Sequence, residues 1–394
     1  MHQPLSTPGM PMDVFLVSGS VDARGGEAGR ARQLAGLFAG MGHRVHLVGI
    51  APAPPGERRR NAVGAEGGPY RSSTLYDVGP PPRAPKRPRG CLDLAARRRR
   101  RAHERQMRAG AAALSALLRG CEGVVVVMGA WALEWVALAD TTGFKVVVLS
   151  HEPYAVTKRS ARYARLRWLC RRHADRVLAP TRQDADWWIR SWLNNVGVMP
   201  APLPDPAPEP SPRDSRCVLG IGRFTHDKGT DILLDAWARI APSHPGWVLR
   251  LYGDGEPTRV EALQKRCAEL GIAASVRWMG YTEDVPGALR GGSVFVLPSR
   301  QEGFPLAPLE AMAAGLPCVA FDVSPGVREI VTDEVDGLLA QPGHLDEFAD
   351  RLELLMEDRE AREWLGDAAR ESVRRYAPEV VARRWEELFA LLRR

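Results

Sequence analysis

Two carboxylates and two cations carry most of the chemistry that this sequence offers. Glu302 and Glu310 stand eight positions apart in Ser299-Arg-Gln-Glu-Gly-Phe-Pro-Leu-Ala-Pro-Leu-Glu310, with the turn Gly303-Phe304-Pro305 between them. Paired carboxylates either act as acid and base across a bond that is cut, or accept hydrogen bonds from hydroxyls such as those of a sugar. Arg223 and Lys228 lie in Gly220-Ile-Gly-Arg-Phe-Thr-His-Asp-Lys-Gly229. A forked guanidinium and a point ammonium in a glycine-bounded loop suit a diphosphate. His151 follows the apolar run Val146–Leu149, where it is either a ligand or a polar residue that a strand end tolerates. Glu310 alone is also explained as an acid favouring a helix dipole. That explanation leaves the turn at Glu302 unaccounted for.

The elements around these residues decide which chemistry applies. Gly292–Pro298 reads as a short buried strand and Pro308–Ala314 as a helix with Glu310 in its first turn. One acid then ends a strand and the other opens the next helix, which is where an open α/β sheet places ligands. Further strands are expected at Cys217–Ile221, Val248–Tyr252, Val276–Trp278 and Pro317–Phe321. Helices alternate with them at Gly229–Ile240, Arg259–Leu270 and Val285–Arg290. The first half starts with a strand at Asp13–Ser18, the glycine turn at Gly25 and Gly26, a helix over Glu27–Met41 and a strand at Arg44–Ile50. Its remaining elements are a helix over Leu92–Leu118, strands at Val124–Met128, Lys145–Leu149 and Arg176–Ala179, and a basic helix over Ser160–His173. Repeated βα alternation predicts parallel sheets in both halves.

This α/β reading divides the chain into a first domain over 1–199, a linker over 200–212, a second domain over 213–376 and a C-terminal helix over 377–394 crossing back to the first. The linker holds seven prolines in thirteen residues, and the tail 1–11 and the loop 51–90 read as mobile. Two doubly wound, Rossmann-like domains facing a central cleft are expected.

Composition narrows the class. The net charge of +7 conceals an asymmetry: residues 1–212 hold 31 Lys and Arg against 17 Asp and Glu, and residues 213–394 hold 23 against 30. A basic front half suits an anionic membrane surface or a phosphorylated acceptor; a solvated helix face explains it as well. Nucleic acid is not expected, because no binding motif or aromatic platform accompanies the charge. Six scattered cysteines without a C-x-x-C pair point to neither a disulfide framework nor a zinc site, and to a cytoplasmic setting. No signal peptide is read at the N-terminus, and no apolar run approaches the roughly 20 residues needed to span a bilayer.

The ordered series Gly222-Arg-Phe, Lys228-Gly, Gly253-Asp-Gly, Gly280-Tyr, Ser299-Arg-Gln-Glu-Gly-Phe-Pro, Glu310-Ala-Met-Ala-Ala-Gly-Leu-Pro and Asp336-Gly-Leu-Leu resembles family 4 of the retaining, two-domain glycosyltransferases. The resemblance covers the second half and, more loosely, the first. It implies the GT-B fold and transfer of a hexosyl-type sugar from a nucleotide diphosphate donor, UDP in the first instance, with no cofactor and no required metal. It implies that Arg223 and Lys228 hold the diphosphate, that Glu302 binds the sugar with the backbone of Gly303, Phe304, Pro305 and Leu306, and that Glu310 takes the ribose. Gly25, Gly26, Gly222, Gly253 and Tyr281 join the donor site, and His151 meets the sugar from the first domain. The acceptor is a glycan, a lipid-linked or a small molecule, which would place the protein in cell-envelope or polysaccharide synthesis, on or near the inner face of the membrane.

Two features depart from the pattern. Gly26-Glu27-Ala-Gly29-Arg30 shifts the acid of the glycine loop by one position, and Ala201 stands where the linker usually has Asn. The competing reading from another class is a non-catalytic GT-B protein that binds membrane or polymer. It predicts an eroded donor site, whereas Arg223, Lys228, Glu302 and Glu310 are all present.

Overall fold

A computed structural model describes residues 10–24, 26–58, 68–79, 94–129, 131–204 and 207–393. The chain forms two compact units, one made of Met1–Pro200 with Glu379–Arg394 and the other of Ala201–Pro378.

The first unit contains β1 (Asp13–Ser18), α1 (Gly26–Gly40), β2 (Arg44–Gly49), β3 (Arg71–Thr74), α2 (Leu94–Leu118), β4 (Gly123–Met128), α3 (Leu133–Val136) and β5 (Phe144–Leu149). It continues with α4 (Tyr154–Arg159), α5 (Tyr163–His173), β6 (Arg176–Ala179), α6 (Arg182–Arg190) and β7 (Val196–Val198). The strands form one parallel sheet in the order β3-β2-β1-β4-β5-β6-β7. Helices cover both faces, so the central strands carry uninterrupted apolar runs: Val124 to Met128 are all buried. One core joins Met107 of α2, Tyr154 of α4, Leu169 of α5 and Trp188 of α6 to the sheet. The opposite core joins Phe38 of α1 to Trp385 and Phe389 of the C-terminal helix.

The second unit contains β8 (Cys217–Ile221), α7 (Thr230–Ile240), β9 (Val248–Tyr252), α8 (Pro257–Glu269), β10 (Val276–Gly280), α9 (Val285–Arg290) and β11 (Val294–Leu297). After these come α10 (Leu306–Ala313), β12 (Cys318–Phe321), α11 (Pro325–Ile330), β13 (Leu338–Ala340), α12 (Leu345–Glu357) and α13 (Arg359–Ser372). Its parallel sheet runs β10-β9-β8-β11-β12-β13. Helix α14 (Pro378–Leu392) then buries Val381, Trp385 and Phe389 in the first unit.

Three local readings change. The basic helix expected over Ser160–His173 is α5, which starts three residues later at Tyr163. A short helix that the sequence did not suggest, α4, precedes it from Tyr154, with Pro153 at φ −56° and ψ 141° as its N-cap residue. Inside the expected loop 51–90, Arg71–Thr74 forms the outermost strand, paired to β2. Its four polar residues show no apolar alternation, so the ladder to β2 is the reason it is a strand. Helix α10 begins at Leu306, two residues before the expected start, because Pro305 pre-sets the N-cap backbone at φ −72°. Glu310 therefore stands in the second turn. The proline-rich stretch after Pro200 is pinned to the second unit: Leu203 N–H donates to Tyr376 O at 2.8 Å, and Ser211 N–H to Ala314 O at 2.8 Å.

Candidate active site

Both sheets reverse their strand order once, between β1 and β4 and between β8 and β11. In doubly wound folds the crevice for a ligand opens at the carboxyl ends of strands at such a reversal. The charged residues singled out above gather at these two places.

At the second reversal, β8 and β11 are direct neighbours, with Phe295 opposite Leu219. The loops that follow them therefore meet. Lys228 Nζ donates to Glu302 Oε1 at 2.7 Å, and Ser299 Oγ donates to the same oxygen at 2.7 Å. Glu302 is buried, and its Oε2 takes no further donor among the described residues. A buried carboxylate needs such partners, because desolvation without them costs several kcal/mol. Gly229 sits at φ +66°, and a Cβ there would lie 2.0 Å from the carbonyl oxygen of Pro298. Only glycine lets the cation loop lie this close to the end of β11.

Arg300 fixes the cation loop from the other side. It donates to both carboxylate oxygens of Asp231 at 2.8 and 2.7 Å and to His226 O at 2.8 Å, while its own N–H donates to Asp227 O at 2.8 Å. Burial works against the Asp231 charge, but the hydrogen bond and charge of Arg300 hold the carboxyl below its ordinary range.

The remaining residues expected in the second unit follow the carboxyl ends of β8, β9, β10 and β11. Gly222 N–H donates to Tyr252 O at 3.0 Å, and Gly253 N–H to Gly280 O at 2.8 Å, which stitches together the ends of β8, β9 and β10. Arg223 is exposed and has no hydrogen-bond or ion-pair partner among the described residues, leaving its fork free for a ligand. Tyr281 follows β10 at the edge of the sheet and is exposed. Phe304 is buried against Tyr376, so it supports the turn through its ring, with centroids 5.6 Å apart. Gly303 precedes it, half-buried, and Pro305 is the N-cap of α10, with no side-chain cap. Helix geometry leaves the N–H groups of Leu306 and Ala307 without partners in the helix, while Pro308 has none to leave. Glu310 is half-buried on the same helix.

At the first reversal, Gly25 lies outside the described residues, and Gly26 opens α1 at φ +53° with nothing within 4 Å of where a Cβ would be. Glu27 Oε1 accepts from Gly19 N–H at 2.9 Å, just past β1. Burial raises the pKa of Glu27. Arg30 Nη1 lies 3.1 Å from His151 Nδ1, just past β5. A guanidinium only donates, so Nδ1 accepts and the ring proton sits on Nε2. That Nε2 is buried without a partner among the described residues. Burial, and next the Arg30 charge, push the His151 pKa down to about 3, so the ring is a neutral N–H donor near pH 7.

Residues 204–372 match the family described as Glycosyl transferases group 1. A Streptomyces coelicolor exopolysaccharide phosphotransferase, SCO2592, is 37% identical over 171 residues, which are 43% of this chain and 18% of that protein. An uncharacterised glycosyltransferase of Haemophilus influenzae is 34% identical over 173 residues, covering 44% of this chain and 48% of that one. The chain thus spans less than half the length of these curated relatives. A solved structure of Anabaena Alr3699/HepE in complex with UDP and glucose superposes with a TM-score of 0.74 at 19% identity, covering 96% of this chain and 99% of that one. The fold is GT-B.

Within this GT-B chain, reading the sequence missed Ser299, Arg300, Asp231 and Arg30. Ser299 and Arg300 belong to the motif around Glu302 but resemble ordinary polar residues of a turn. Asp231 looks like any acid in a first helical turn. Arg30 is separated from His151 by 121 positions, and only the sheet order brings them together.

Proposed function

We propose that the protein is a retaining glycosyltransferase that moves a hexosyl-type sugar from a nucleotide diphosphate donor to a glycan, lipid-linked or small-molecule acceptor. The observation that carries this reading is the Lys228–Glu302 pair at the reversal of the second sheet, 2.7 Å apart and joined by Ser299. A cation and a buried carboxylate adjoining the free N–H groups of a helix start match the two ends of a sugar diphosphate. The match to Glycosyl transferases group 1 over 204–372 supports the same reading, and the UDP bound to the Anabaena protein supports UDP as the first donor to test.

In the proposed reaction the bond between the anomeric carbon and the β-phosphate oxygen breaks and the diphosphate leaves with the electron pair. Lys228 and Arg223 stabilise that charge, an electrostatic role that needs no resident metal. The acceptor hydroxyl attacks from the same face, and its proton passes to the departing phosphate. Glu302 holds donor-sugar hydroxyls, Glu310 the ribose, and His151 donates its Nε2–H to a sugar oxygen. No side chain is assigned as nucleophile.

The test is a panel of nucleotide sugars with cell-extract acceptors, reading nucleotide release, product mass and anomeric configuration by NMR. Lys228→Ala and Glu302→Gln should each lower turnover roughly 10²–10³-fold, with activity unchanged by EDTA. Wild-type turnover in either variant, or an inverted anomer, overturns the assignment; no turnover with any donor favours the non-catalytic binding protein.

A further inference from the structure

We propose that the outward face of α5 docks on an anionic lipid bilayer, with Trp168 as its interfacial anchor. Ala164, Arg167, Trp168, Arg171 and Arg172 recur at three- and four-residue spacing and line one shallow concavity on the surface. The opposite stripe of the helix, Leu169 and Cys170, is buried in the first unit's core. Trp168 is 57% exposed, an unfavourable place in water for a large ring. At a membrane interface the same ring rests at headgroup level while the flanking guanidiniums meet lipid phosphates. Arg171 and Arg172 have no carboxylate partner among the described residues, which leaves both charges available.

The charge around this stripe has a direction. Helix α5 holds four arginines and no acid, α4 ends in Lys158 and Arg159, and α2 holds seven arginines against Glu104 alone. All three helices pack on the same face of the sheet, through Met107, Tyr154 and Leu169. On the opposite face, α1 has two arginines and one glutamate, and α14 two arginines and three glutamates. An arginine-rich composition alone would enrich both faces. Here the surplus lies on one, and the exposed ring of Trp168 lies within it. Single-stranded RNA would also meet arginines, but it calls for a row of stacking rings, and this stripe has one. Among the described residues no helix is long and apolar enough to cross a membrane, so the contact proposed is peripheral.

The experiment is co-sedimentation of the full chain with vesicles of phosphatidylcholine alone or with about one quarter phosphatidylglycerol. It does not depend on the transferase reading. Binding is expected only to the anionic vesicles, at low salt, with release at high salt. Trp168→Ala should weaken partitioning several-fold, and Arg171→Gln with Arg172→Gln roughly thirtyfold, at about fivefold per charge. Unchanged circular-dichroism melts would show that the variants fold. Absence of binding to anionic vesicles at low salt overturns the proposal. So does binding that neither variant weakens, or variant-sensitive binding to polyuridylate in place of vesicles.

Discussion

Arg300 grips Asp231 with both terminal guanidinium nitrogens, 2.8 and 2.7 Å from its two carboxylate oxygens, and thereby ties the end of β11 to the start of α7. Neither residue need touch a ligand. Between them they hold the loop that carries Arg223 and Lys228.

Loosening this clamp should therefore cost catalysis more than folding. Arg300→Ala is expected to lower kcat/KM about tenfold, near 1.4 kcal/mol, with Asp231→Asn similar. The double variant should lose less than the sum of the single ones, since both remove the Arg300–Asp231 pair, while Arg300 alone also holds His226 O and Asp231 alone also accepts from Arg259. Additive losses measured across that cycle would show that the two residues act separately.

The contact between Arg30 and His151 predicts a pH signature. With its pKa near 3, His151 stays neutral across the physiological range, and burial is the larger cause. Arg30→Met removes the smaller, positive contribution, so the pKa should rise partway toward 6.5 and the acid limb of the pH–rate profile should move upward with it. Imidazole NMR across the same range measures the shift directly. An unmoved His151 titration would rule out Arg30 as a contributor to its lowered pKa.

His43 gives a second pH dependence, this one on stability. It is buried beside Phe389, and burial, then the Arg393 charge, push its pKa down to about 4. Between about pH 6.5 and 4 the unfolded chain binds a proton that the native state refuses. Stability is thus fully present above pH 6.5, falls as the pH drops through that window and levels off below it, by up to about 3 kcal/mol. His43→Phe should flatten urea-unfolding free energies between pH 7 and 5 relative to wild type.

The C-terminal helix is a structural part of the first unit. Phe38 packs edge-on against Trp385 with centroids 4.9 Å apart, and Phe389 closes the same cluster. Phe389→Ala should cost roughly 3–5 kcal/mol by leaving a cavity. Urea unfolding followed by circular dichroism checks this, and a loss below about 1 kcal/mol would mean that the helix is dispensable.

Much of this was legible without coordinates. The apolar run Cys217–Ile221 became a strand with the expected bounds, and the run Gly292–Pro298 holds the strand Val294–Leu297, because a strand covered on both faces must be apolar throughout. Gly229 and the turn at Glu302 marked the site, because backbone that approaches so closely tolerates few residue types. Other features were not legible for a physical reason. Glu302 lies 74 positions from Lys228, and Arg30 lies 121 from His151. Such contacts depend on which strands are neighbours, and strand order leaves no local pattern in the chain. Residue types and periodicity by themselves determined the α/β class, the glycine turns and the identities of the charged residues. The tertiary structure alone decided that β8 lies beside β11, and so that Lys228 meets Glu302, because hydrogen bonding between strands, not spacing along the chain, sets which loops share an edge.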